Sequence, residues 1–244
     1  MGIKYSIVVP CYNEEGNIYK LVDEFVKVND ALEQYGFELI LVNNGSRDNT
    51  SEEIAVCVKK YEFIRMVQVE INQGYGYGIL RGMSSCRGEF IGWIHADLQF
   101  SPFLFIEVAD DIRKRAGNSK SKLYYKGLRK NRPISDRFFT FCMGCFETIY
   151  LGKGLRDINA QPTLMNRELF DNAQNPPYGF AIDLFFYYTA KKNKYRVQRF
   201  VSHQRSREVG KSSWNTGMSA RINLIIRILR DSKTIKANQR KYVK

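Results

Sequence analysis

A chain of 244 residues, 44% of them hydrophobic, is long enough for one large α/β domain and has the composition of an ordinary soluble core. Its formal charge of +13 calls for a polyanionic partner: nucleic acid, an anionic membrane surface or phosphorylated ligands. No apolar run approaches the roughly 20 residues that span a bilayer, so any membrane contact is expected to be peripheral.

Ile3 to Pro10 is a short apolar run with no basic region before it, which reads as a strand rather than a signal peptide and points to the cytosol. Asn17 to Tyr35 is amphipathic, Phe37 to Val42 apolar, Ser51 to Tyr61 amphipathic and Ile64 to Val69 apolar. That order predicts βαβαβ, a mostly parallel sheet with helices on its faces. A Gly-rich turn at Gly74 to Gly78 opens another helical stretch, and Glu89 to His95 reads as the next strand, followed by polar residues and Pro102. Residues 1–100 therefore form a mononucleotide-binding half.

In residues 101–215 we expect a strand at Lys122 to Lys126, a helix around Arg137 to Leu151 and an irregular Asp157 to Thr163. A helix from Ile182 to Lys192 and a strand near Arg196 to Ser202 follow, packed on the first sheet as an acceptor-side extension of a single domain. Residues 216–244 form a basic amphipathic tail with Met218, Ile222, Ile225, Ile226 and Leu229 on one helical face. It suits either the membrane interface or docking on the domain. Five cysteines, Cys11, Cys57, Cys86, Cys142 and Cys145, are an odd set that fits a reducing compartment. Cys142 and Cys145 form a lone CxxC in an aromatic stretch and are expected in the core.

Ligands of open parallel sheets bind beyond the carboxyl ends of the strands. The first strand end carries Pro10, Cys11, Tyr12, Asn13, Glu14 and Glu15, and the second carries Asn43, Asn44, Gly45, Ser46, Arg47 and Asp48. Each also reads as a turn, with Asn13 as a helix cap and Asn and Asp serving the backbone. After the fourth strand, His95 and Asp97 alternate outward and Gln99 follows in phase, so the three side chains can converge on one cation. A diphosphate leaving group needs such a cation, because charge builds on its oxygens.

Together these strand ends resemble glycosyltransferase family 2, the inverting enzymes of the GT-A fold. The first matches Pro-x-Tyr-Asn-Glu; the second matches Asp-Asp-Gly-Ser-x-Asp-x-Thr, completed by Thr50; the third matches Asp-x-Asp. Asn72, Gly74, Gly76 and Gly88 also fall at family positions, and the resemblance covers roughly residues 3 to 215. Asp97-Leu98-Gln99 looks like the dolichol-phosphate mannose synthase and polyprenyl-phosphate sugar transferase branch. So do Lys126 to Arg129, Asp157 to Pro162, Gly179 to Asp183, and Arg207 with Gly210, Lys211, Ser212 and Trp214.

The resemblance implies a nucleotide-sugar, GDP- or UDP-linked, bound by Pro10, Tyr12, Asn13, Glu14, Asn43, Asn44, Gly74, Ala96 and Asp97. It implies a polyprenyl phosphate acceptor held by Arg129, Arg137, Arg207 and Lys211, with Arg132 also in that half. Asp97, Asp157, Asp183, Arg129 and Arg207 carry the catalytic expectation, and His95, Asp97 and Gln99 the metal. His95 stands where the family has Asp, which favours Mn2+ over Mg2+, and Asn43 and Asn44 stand for an Asp pair, which leaves the base preference open. A hydroxyl acceptor, with Asp183 as base, is the second reading. A binding-only relative is the third, and a nucleic-acid binder, suggested by charge and by Tyr75, Tyr77, Tyr124 and Tyr125, finds no module pattern to support it.

Overall fold

The structure is a computed structural model that describes residues 2–115, 122–131, 133–205 and 218–240, with side chains of the last helix described over 226–238. Strands β1 (Tyr5–Cys11), β2 (Phe37–Asn44), β3 (Ile64–Val69) and β4 (Phe90–Trp93) pair in parallel, with helices α1 (Ile18–Leu32), α2 (Thr50–Lys60) and α3 (Tyr75–Ser85) between them. The sheet continues through β5 (Leu123–Lys130), β6 (Thr163–Asn166) and β7 (Arg196–His203) in the order β3-β2-β1-β4-β6-β5-β7. One seven-stranded sheet thus runs through both halves.

Only β6 runs against the rest. It pairs antiparallel with β4 on one side and with β5 on the other, and β5 pairs parallel with β7. Two reversals restore the direction, so β5 and β7 end on the same sheet edge as β1, β2 and β4.

Strand periodicity divides the core. Ile7, Val9, Leu39 and Leu41 face a cluster shared with α1, α2 and α4 (Leu104–Arg115). Val8, Ile40 and Val42 face a second cluster shared with α3, α6 (Arg167–Asp171) and α7 (Ile182–Lys192). Side chains two residues apart share a face, so the continuous apolar runs of β1 and β2 need helices on both sides and force polar groups out to the strand ends.

The long α5 (Ile134–Leu151) buries only Gly144, Glu147 and Leu151 fully. The last helix, α8 (Met218–Arg240), sits against it: Ser232 Oγ donates to Glu147 Oε1 at 2.5 Å and Lys236 Nζ donates to the Tyr150 carbonyl. Burial pushes the Glu147 carboxyl up, although Ser232 opposes this. Ser232 and Ile235 are buried while Ile226 and Leu229 are exposed, so the docked face differs from the expected one. Met218, Ile222 and Ile225 lie outside the described side chains. Cys142 and Cys145, expected in the core, are exposed, because the buried side of α5 is the opposite one.

The expected boundaries of β3 and α7 agree with the structure, whereas α4, β6 and α6 were not foreseen. Helix α3 lies close on the sheet. A Cβ at Gly82 would press into Val8 Cγ1 and stand 2.8 Å from Val42 Cγ2, both on stiff β-branched side chains. Gly82→Ala is therefore expected to cost about 1–3 kcal/mol despite the better helix propensity of Ala. The readout is a Tm lower by several degrees, against no change for Gly154→Ala, where a Cβ meets nothing within 4 Å. Equal Tm values for the two variants would show that α3 is not held this tightly.

Candidate active site

Two strand-end loops interlock at the carboxyl edge. The Thr50 hydroxyl accepts the Glu14 N–H at 2.8 Å and donates to Asp48 Oδ1 at 2.6 Å, while Asp48 Oδ2 accepts the Glu15 N–H at 3.2 Å. Desolvation raises the Asp48 carboxyl, but hydrogen bonds from Thr50 and from backbone amides prevail and hold it below its ordinary value. Asn13 has a left-handed φ of 55° and accepts the Arg47 N–H at 2.9 Å. Its N–H donates to Ser46 Oγ at 3.1 Å. Asn13 is thus a bridge between loops and not the cap of α1, which begins after Asn17.

Beside this lock lies a cleft of about 490 Å³ lined by Tyr12, Gly45, Ser46, Arg47, Glu70, Ile71 and Asn72. Tyr12 is 44% exposed and offers a ring face for a planar base. Asn43 and Asn44, expected to hold the base or ribose, are buried and engaged within the protein. Asn43 Nδ2 donates to Gln68 Oε1 and its Oδ1 accepts the Ser46 N–H; Asn44 Nδ2 donates to the Gly74 carbonyl. Neither lines the cleft, although Asn43 holds the backbone of Ser46, which does. Pro10 stays within β1, paired with Val42, and Ala96 is buried.

Gly74, with φ 115°, has no room for a side chain because a Cβ would stand 2.6 Å from the Tyr178 carbonyl oxygen. At Gly76 the Pro177 and Gly179 carbonyl oxygens would be met at 2.6 and 2.7 Å. The Gly-rich turn is a seam of backbone against backbone, closed by Tyr77 N–H donating to the Tyr178 carbonyl at 3.0 Å.

After β4 the chain does not stay extended. Leu98 takes φ 57° and the Gln99 N–H donates to Asp97 Oδ1 at 3.2 Å, so the expected in-phase alternation of His95, Asp97 and Gln99 is replaced by a bend. Asp97 is 5% exposed, and His95 packs edge-on to Tyr75 at 5.3 Å and to Phe100 at 6.1 Å. Imidazole, carboxylate and amide suit a borderline divalent cation. Among the described residues no three His, Cys, Asp or Glu side chains gather as a cage. The amide of Gln99 and the oxygens of a bound diphosphate would complete such a site.

In the second half Asp157 and Asp183 are both paired. Arg129 grips Asp157 through its backbone N–H at 2.8 Å, its Nε at 2.7 Å and its Nη2. Burial opposes ionisation of Asp157, yet Arg129, with Arg199, holds the carboxyl below its ordinary value. Arg199 also caps the Arg156 carbonyl at 2.7 Å and lies over the Tyr187 ring. Asp183, expected as a base at the start of α7, is 2% exposed, and its Oδ1 accepts from Lys126 Nζ at 2.8 Å and Gln161 Nε2 at 3.1 Å. Lys126 is 1% exposed, and burial pushes its ammonium down while Asp183 pulls it back. Arg137 is exposed on α5, and Arg132, Arg207 and Lys211 lie outside the described residues.

Two residues carry more of the site than their sequence context indicated. Tyr75, which in the sequence supports only the nucleic-acid reading, stacks on Phe180 at 5.3 Å, and burial followed by the charges of Asp183 and Asp97 pushes its phenol well up. Its ring meets His95 edge-on, and the charges of Asp97 and Asp183 both reach its phenol. Lys126 enters the sequence resemblance only as the first residue of the 126–129 motif. A lone Lys within an apolar strand run was the signal that it is buried and paired.

A sequence profile described as glycosyl transferase family 2 matches residues 6–172. The chain is 30% identical over 174 residues to a dolichyl-phosphate beta-glucosyltransferase of Trichomonas vaginalis, a match covering 67% of this chain and 52% of that protein. It is 24% identical over 184 residues to the dolichol-phosphate mannosyltransferase of Pyrococcus furiosus, covering 74% and 51%. The chain thus spans about half the length of these relatives. Among solved structures, glucosyl-3-phosphoglycerate synthase from Mycobacterium tuberculosis, in complex with Mn2+, UDP and glucosyl-3-phosphoglycerate, superposes with a TM-score of 0.70 at 18% identity, over 95% of this chain and 80% of that one. That likeness is one of fold, a mostly parallel sheet between helix layers in the GT-A manner. With the profile matching well over half of its length, the chain belongs to glycosyl transferase family 2.

Proposed function

We propose that the chain moves a hexose, with inversion, from a nucleotide-sugar to a polyprenyl phosphate. What carries the reading is the state of the acceptor-side carboxylates: Asp157 is clamped by Arg129, and Asp183 is buried against Lys126 and Gln161. A hydroxyl acceptor needs a base to take its proton. A phosphate monoester, with a second pKa of about 6, is already a nucleophile at neutral pH. Its oxygen attacks the sugar's anomeric carbon, the bond from that carbon to the diphosphate breaks, and the electron pair leaves on the nucleoside diphosphate. No proton has to be removed. Relatives in Trichomonas and Pyrococcus that bear dolichyl-phosphate transferase names support the same acceptor class.

The chain's residues divide the work. Tyr12 and the Ser46–Arg47 loop border the donor cleft, with Arg47 near enough to the strand ends to meet phosphate charge. His95, Asp97 and Gln99 would hold a divalent cation, which when bound neutralises charge on the departing diphosphate. Arg129 is oriented by Asp157, and Arg207 and Lys211 are the further cations proposed to meet the acceptor phosphate.

The direct test is nucleotide release from UDP- and GDP-sugars with Mn2+, with and without a short polyprenyl phosphate. Release should depend on the lipid phosphate, and lipid-independent release with every donor would sink the acceptor assignment. With His95 as a ligand, Mn2+ should support faster transfer than Mg2+, and His95→Asp should shift the ratio toward Mg2+. Equal rates with both metals in the native protein would put His95 outside the coordination. Asp183→Asn should destabilise by about 3–5 kcal/mol, since it leaves a buried ammonium without its counter-charge. Lys126→Met combined with Asp183→Leu should restore Tm and keep transfer to the lipid phosphate within roughly tenfold. A natively stable double variant with no transfer would instead give the Lys126–Asp183 pair a direct part in the reaction.

A further inference from the structure

Helix α5 shows its apolar side to solvent. At about 100° per residue, Ile134, Phe138, Phe141, Cys145 and Ile149 form a stripe roughly 80° wide, opposite the buried Gly144, Glu147 and Leu151. Their exposure is high: Ile134 82%, Phe138 68%, Phe141 67% and Ile149 83%. A water-facing stripe of this size marks a surface that something covers.

Its place in the fold narrows what that is. Strands β5 and β7 end on the same sheet edge as the donor loops, and α5 starts just beyond β5. Leu128 and Val201, directly paired across these two strands and each 38% exposed, carry apolar surface from the sheet edge toward α5. The stripe therefore begins at the edge where the acceptor phosphate must arrive.

Charge decides between occupants. The exposed charged side chain of α5 is Arg137, Lys130 is exposed just before the helix, and the helix's two acidic residues, Asp136 and Glu147, are partly or fully buried. The packed helix α8 adds exposed Arg227, Arg230 and Lys233. A second copy of a chain of net charge +13 would bring like charges together around the stripe, whereas an anionic bilayer complements them.

We propose that the exposed side of α5 is the membrane-docking surface of this protein, lying in the headgroup region of an anionic leaflet with Phe138 and Phe141 inserted. It brings the acceptor edge to the plane where a lipid phosphate sits, and in that respect it rests on the proposed acceptor.

The exposed cysteines provide a probe without mutation: Cys142 and Cys145 are accessible on or beside the stripe, while Cys11, Cys57 and Cys86 are buried. An environment-sensitive thiol dye on the native chain should shift to the blue with acceptor-free vesicles of phosphatidylcholine containing about one third phosphatidylglycerol, and not with pure phosphatidylcholine. Vesicle partitioning of unlabelled protein should fall roughly tenfold in Phe138→Glu/Phe141→Glu, and stay unchanged in Val56→Glu, which alters an exposed apolar residue on α2. Absence of a blue shift, or equal partitioning of native protein and the α5 variant, would overturn the proposal. So would light scattering that finds a native dimer made monomeric by the α5 substitutions. Because these vesicles hold no acceptor, docking without transfer to an added polyprenyl phosphate would refute the proposed reaction and leave the surface standing.

Discussion

The hydroxyl of Thr50 fixes the strand-end loops of the first half by accepting from the loop after β1 and donating into the loop after β2. Neither loop could hold this geometry alone, since each leaves a sheet whose interior is apolar on both faces and offers its backbone no further partners. The Asp48 carboxylate is kept ionised at the centre of the contact, and Asn13 and Ser46 repeat the exchange at its rim. Tyr12 and Arg47, which border the cleft, are set by a lock to which they do not themselves contribute side chains.

The second half is organised by charge. Lys126 with Asp183 and Arg129 with Asp157 are pairs in which burial would be costly for either member alone. Both join β5 to segments that follow later in the chain, so they tie the irregular 157–163 stretch and the start of α7 to the sheet. Arg199 reinforces the second pair from β7. The positive charge that dominates the composition is thus partly used for construction and only partly offered to ligands.

Much of this was legible in the sequence where period and composition agreed. The apolar runs of β1 and β2 need two helix layers, and β3 and α7 carry clear boundaries. Short elements were not legible: β6 has four residues, and α4 follows a bend and Pro102, which read as loop. The spacing of His95, Asp97 and Gln99 suggested an extended strand, but a left-handed Leu98 turns the chain, a choice that nothing in the residue pattern disclosed. Asn43 and Asn44 sat at the expected strand end, yet side-chain direction depends on Gln68 and Gly74, which are remote in sequence. Cys142 and Cys145, within an aromatic stretch, suggested core, because amphipathicity alone does not say which side of a helix faces the protein.

The seam at Gly74 and Gly76 limits how the two segments it joins can move. Where main chain touches main chain with no side chain between, neither segment can slide or swing without losing contact along its whole length. Helix α3 and the loop before α7 therefore act as one body where they meet. With no side chain between the two segments the junction leaves no room for a hinge, and the stacked rings of Tyr75 and Phe180 extend the contact beside it.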